Sequence, residues 1–233
     1  MKDMTNGKPL KLIIGFAIPM LIGNIFQQVY NVADTMIVGR YLGENALAGV
    51  GSTGTLTYFL LALVSGMCNG AGLVIAQCFG CGNKERLSRV VTALIWVAGA
   101  LTCIVAVIGM FFSEFFLRLL SVPDNVIGYS IEYLHIIYTF VFGSVIYNGC
   151  GAILNSVGDS KTPLITVAIA CVFNIAGDLI LCAGFHMGTQ GAAIATVFAQ
   201  IVSVVVSFFL ICKKELPFTV KNKNIRIHKV YLK

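Results

Sequence analysis

The sequence predicts an all-α membrane protein of six transmembrane helices, and three observations carry that expectation. The chain of 233 residues is 58% hydrophobic and only 11% charged, with a mean hydropathy of +0.89. A water-soluble domain carries about a quarter charged residues. Six apolar runs are each long enough to cross a hydrocarbon layer, which takes about 20 residues. The basic residues also gather on one side of a six-span topology.

The spans fall at about 12–38, 46–79, 90–112, 126–157, 163–185 and 189–212. The first follows a short basic stretch from Met1 to Lys11. Its apolar run is too long for a signal peptide and no small-residue cleavage site follows, so it is expected to be retained. Pro19 removes a backbone hydrogen bond there and should kink the helix. A tight outer turn, Arg40 to Asn45, leads to the second span. The second and fourth runs exceed what a perpendicular helix needs at ~1.5 Å per residue, so tilt or projection into water is expected. After the third span, Ser113 to Leu120 reads as an amphipathic helix at the interface, closed by Pro123. The inner turn Gly158 to Pro163 opens the fifth span, where Pro163 suits a first helical position. From Lys213 to Lys233 the chain is basic and has no further span, as in a cytoplasmic linker or tail.

The net charge of +6 is organised by topology. Of the 16 basic residues only Arg40 and Arg118 fall opposite the rest. That positive-inside bias expects a multi-pass protein of the cell membrane with both termini in the cytoplasm. No base-stacking or groove-reading module accompanies the charge, so nucleic acid is not an expected partner. The 8 cysteines are scattered, nearly all inside spans, where a thiol acts as a small hydrophobe. Cys78 and Cys81 have the spacing of a metal or redox pair, but no second pair or nearby histidine completes a site. No metal site or cofactor is expected. Neither is enzymatic activity, because no nucleophile–base pair or H-E-x-x-H motif is present.

Of the 10 acidic residues, only Asp34 and Asp178 lie deep within spans, with Glu132 a marginal third beside His135. A carboxylate at that depth costs at least ~2.5–3.5 kcal/mol and usually faces a cavity. Spans one and five run outward, and the two aspartates lie ~8–11 Å below the outer surface by helical rise. Asn174 is one turn deeper than Asp178 on the same face. Thr196, in span six, has a similar depth, and Tyr30 sits one turn below Asp34. If these side chains meet, the carboxylates cannot both stay ionised without a counter-charge. Either a shared proton or Na⁺, which favours oxygen ligands, would suit them. Asn31-Val32-Ala33-Asp34 also resembles Asn174-Ile175-Ala176-Gly177-Asp178, a hint of internal repetition.

These residues carry a resemblance to the multidrug and toxic compound extrusion (MATE) family. Pro19, Val32-Ala33-Asp34-Thr35-Met36-Ile37-Val38-Gly39 and Asn45-Ala46-Leu47-Ala48-Gly49-Val50-Gly51 look like its first hairpin. Gly158-Asp159-Ser160-Lys161-Thr162-Pro163, then Asn174 with Asp178, then Gly191-Ala192-Ala193-Ile194-Ala195-Thr196 look like its fifth and sixth helices. The resemblance implies that the six spans form one lobe of a twelve-helix transporter. It implies a cation-coupled antiporter, using H⁺ or Na⁺, that exports organic-cation or amphipathic compounds. It places the family's N-lobe cation site on Asp34, Asn174, Asp178 and Thr196, with Tyr30 beside it, and its proton-linked bending on Pro19.

The expected partners are small amphipathic or cationic substrates and membrane lipid. To these is added either a missing C-terminal lobe, if the sequence is incomplete, or a second copy of the chain in a dimer of half-transporters. A lipid-linked sugar flippase of the same superfamily is a second reading. Its anionic cargo would call for Arg or Lys within the spans, and apart from the span ends none is there. A non-transporting membrane assembly subunit is a third.

Overall fold

The computed structural model describes residues 9–213. Over those residues the protein is helical: α1 (Pro9–Leu42), α2 (Glu44–Gly80), α3 (Lys84–Leu119), α4 (Asp124–Thr139), α5 (Val141–Ser156), α6 (Lys161–Asp178) and α7 (Gly188–Lys213). A π-helical stretch, Leu179–Gly184, extends α6. The basic segment after Lys213 lies outside the described residues.

Five helices are individually long and apolar enough to span, and α4 and α5 form a sixth, bent by 56° at Phe140. The sequence reads the region 126–157 as one run, and the structure breaks it. The Thr139 hydroxyl donates to the His135 carbonyl at 2.6 Å just before the bend. Phe140 then leaves helical geometry at φ −107° and ψ 15°. At the end of the third span the outcome differs from expectation. Ser113 to Leu119 is not a separate interfacial helix but the last turns of α3, because nothing before Leu120 interrupts the backbone pattern.

The α2–α3 and α5–α6 turns are built by glycine. Gly82 (φ 67°) and Gly158 (φ 82°) adopt left-handed backbone, the conformation that ends helices with a six-to-one hydrogen bond. Asn83 N reaches Cys78 O at 3.2 Å and Asp159 N reaches Leu154 O at 2.9 Å. Asn83 caps α3 through the Arg86 amide. At α6 the Asp159 carboxylate accepts from the Thr162 amide and hydroxyl. Helix α6 starts at Lys161, so Pro163 stands in its first turn rather than at its first position, still where no intrahelical donor is required.

Two hydrophobic clusters hold the lobe. The larger lies among α2, α3, α4 and α5, around Leu60, Val64, Val91, Leu134, Tyr138 and Val141. The smaller lies beneath the α1–α2 turn, joining Val38, Val50, Tyr133, Ile137, Cys182 and Ala193. Helices α6 and α7 touch through small residues: a Cβ added to Gly177 would come 2.9 Å from that of Ala195. Such contacts let transmembrane backbones approach closely. The site is built from buried polar residues on α1, α6 and α7.

Candidate cation site

Three helices present the predicted residues. Helix α1 turns Asp34 inward, with 7% of it exposed. Asn174 and Asp178, four residues apart on α6, are both fully buried, and α7 brings in the buried Thr196. Asn174 Nδ2 donates to Thr196 Oγ1 at 3.3 Å. Asp34 and Asp178 are neighbours across the α1–α6 contact. Tyr30 stands near Asp34, Asp178 and Thr196. The close α6–α7 contact at Gly177 is what brings Asn174 within reach of Thr196.

Several acceptors of the site go unused. Asp34 Oδ1, Asn174 Oδ1 and both Asp178 carboxylate oxygens are buried without a hydrogen-bond partner. Two facing carboxylates offer lone pairs only, so a direct bond between them would form only when one oxygen carries a proton. A buried charge without a partner costs several kcal/mol. A proton or a small cation bound among these oxygens removes that cost. All the donor atoms are oxygen, which suits a hard cation such as Na⁺.

Asp34, Asn174, Thr196 and Tyr30 line a cavity of about 800 Å³, with Asp178 behind its wall. Tyr58, Tyr133 and Tyr147 line it too, and no lysine or arginine does. Pro19 is not in the cluster. It lies 15 residues before Asp34, roughly 22 Å along the helix, and lines a second cavity nearer the N-terminal end of α1. Helix α1 runs unbroken through it. Glu132 stands apart as an acceptor for Thr189 at 3.5 Å. Cys78 is buried and Cys81 exposed, so the two thiols occupy different environments.

Sequence reasoning missed Tyr133, which lies near Thr196, Tyr30 and both aspartates. It also missed the Ser144–Gln200 hydrogen bond that joins α5 to α7. A signal for Tyr133 existed: Ser130, Tyr133 and Ile137 fall on one face of α4. The π-helical stretch that begins one residue after Asp178 had no such signal. Widened turns of this kind recur at functional sites.

Apolar spans closing on a buried acid pair beside a large cavity define a multi-pass membrane protein. The MatE family model matches residues 19–180, and the chain belongs to that family. It is 34% identical to the probable multidrug resistance protein YoeA of Bacillus subtilis (strain 168), over 87% of this chain and 44% of that protein. It is 25% identical to the multidrug export protein MepA of Staphylococcus saprophyticus, over 86% of this chain and 44% of that one. A crystal structure of MATE in the bent conformation superposes with a TM-score of 0.89 at 25% identity, over 97% of this chain and 50% of the other. The chain therefore spans about half the length of the relatives it matches.

Proposed function

We propose that this lobe couples cation binding at Asp34 and Asp178 to the export of cationic or amphipathic drugs. The observation that carries the reading is the pair of buried carboxylates with unpartnered oxygens, set against a cavity. H⁺ or Na⁺ arriving from outside would sit among Asp34, Asp178, Asn174 and Thr196 and bind α1 to α6 and α7. Cargo release would follow from the changed packing of α1, with Pro19 as the position where that helix flexes. Release of the cation to the cytoplasm would restore the cargo-binding state. Coupling needs the two ligands to prefer different states, typically by 1–3 kcal/mol.

The cavity's character supports the choice of cargo. Tyr30, Tyr58, Tyr133 and Tyr147 offer aromatic faces to an organic cation. The relatives described as multidrug resistance and export proteins agree with that class. A lipid-linked sugar flippase would need basic groups for its phosphate, and the cavity lining has none. Activity is proposed for an assembly in which a second six-helix unit faces α1 and α2, from a longer chain or from a second copy.

The test is efflux of a cationic dye from vesicles driven by an imposed pH or Na⁺ gradient. Asp34→Asn and Asp178→Asn should each abolish it while leaving membrane insertion intact. Full efflux in either variant would remove the mechanism. The gradient that drives the parent identifies the ion.

A further inference from the structure

A second cavity, of about 320 Å³, continues from the first toward the cytoplasmic helix ends. It is a slot between the inner half of α1 and α5, with α6 and α7 behind it. Gln27, Asn69, Tyr147 and Asn148 line both cavities, so the two are contiguous. Farther in, Asn24 and Asn155 flank the slot, and Ser160, at the α5–α6 turn, marks its inner end.

So many amides at membrane depth are costly unless they have partners or water. Helix packing does not use them up. Asn155 Oδ1 is buried with no hydrogen-bond partner, and Asn148 Nδ2 turns back to the Ser144 carbonyl of its own helix. The slot's lining contains no charged side chain. A carboxylate would hold a cation there. Neutral oxygens replace part of a hydration shell and let the ion go, which is the requirement for passage.

We propose that this slot is a conduit within the lobe, through which the coupling cation moves between Asp34 and Asp178 and the cytoplasm. The route leaves the larger cavity past Gln27, Asn69, Tyr147 and Asn148. The inference rests on the cation-site reading above. Gly151 supplies a plug: it lines the slot, and a Cβ added there meets nothing within 4 Å. The side chain of Gly151→Phe would therefore grow into the slot without displacing backbone.

The test uses inside-out vesicles carrying the chain, with bath pH (cytoplasmic face) and lumen pH set separately. Dicyclohexylcarbodiimide modifies a buried carboxyl only when it is protonated, and mass spectrometry reads modification at Asp34 and Asp178. In the parent, modification should rise promptly when the bath is acidified. In Gly151→Phe that response should slow by about tenfold or more, while the response to lumen acidification stays as in the parent. Gly151→Ala should behave as the parent. Asn155→Leu, which removes the unpartnered oxygen and keeps the volume, should also slow the bath response, and it decides the matter if Gly151→Phe does not fold. An unchanged bath response in the plugged variants overturns the conduit. So does a parent that responds to the lumen alone, which would leave the cation site standing. Modification indifferent to both sides overturns the cation site itself.

Discussion

Gly177→Ala tests the contact that assembles the site. The new Cβ would lie 2.9 Å from Ala195 Cβ and 3.4 Å from its Cα. Carbon atoms rest at about 3.5–4.0 Å, so α6 and α7 must part locally by roughly 0.6–1 Å. The Asn174–Thr196 hydrogen bond, at 3.3 Å, spans the same two helices within a turn. That bond is already long for N–H···O, and the displacement carries it out of range. Overpacking costs ~1–3 kcal/mol and loss of the bond adds ~0.6 kcal/mol. Removing a helix-interior glycine returns ~0.5–1 kcal/mol.

The control is Gly99→Ala in α3, where an added Cβ meets nothing within 4 Å and only the helix gain applies. The assay is thermal unfolding of the purified chain in detergent. At ~2–4 °C per kcal/mol for this length, Gly177→Ala should unfold several degrees below Gly99→Ala. Adding Ala195→Gly moves the methyl group across the interface and should recover at least ~0.5 kcal/mol, as coupled neighbours do. Equal midpoints for Gly177→Ala and Gly99→Ala, or no recovery in the double variant, would refute the reasoning.

Other perturbations read different parts of the lobe. The Tyr138 hydroxyl is buried without a hydrogen-bond partner, so Tyr138→Phe should leave the unfolding midpoint unchanged or raise it. A loss of ~1 kcal/mol or more would mean that a bond to Thr57 forms after all. Cys81 is exposed at the α2–α3 turn, so an impermeant thiol reagent should label it in inside-out vesicles and not in intact cells. Labelling from outside would invert the topology. A bound cation should slow hydrogen exchange in α1 between Asn24 and Thr35 more than in α6, and Asp178→Asn should erase that difference. Equal slowing of both helices would place the cation's effect elsewhere.

The spans were legible because lipid imposes one simple rule, a long apolar run, and the chain obeys it six times. The α4–α5 bend was not, because no proline or glycine stands at Phe140 to mark the break in the apolar run. The shared depth of Asp34, Asn174, Asp178 and Thr196 followed from helical rise alone. Their meeting did not, since it depends on helix rotation, which small-residue packing sets through Gly177 and Ala195. Tyr133 escaped notice for a related reason: an aromatic at a helix face reads as core, and only its neighbours reveal a polar role. The inner slot was invisible because its amides are spread over α1, α2 and α5, far apart in sequence.

The two aspartates differ in what holds them, and that difference gives the site a direction. Asp178 sits on α6, locked to α7 by the small-residue contact and with none of its surface exposed. Asp34 rides on α1, whose most apolar window is only 11% buried, against 22–33% for the other four single-helix spans. Helix α1 has an exposed polar stripe, Asn24, Gln27, Asn31 and Thr35, beside an exposed apolar one, Leu21, Ile25, Val32 and Met36. Lipid suits the second stripe and not the first, so the polar stripe belongs against water or a facing helix bundle. A segment with few buried contacts is the one that moves at low cost. Under the proposed mechanism, a cation held between the two carboxylates would fasten the less buried helix to the more buried one. Its loss would leave Asp178 where it was and free Asp34 to move, so that a change of one charge would be expressed as a displacement of α1.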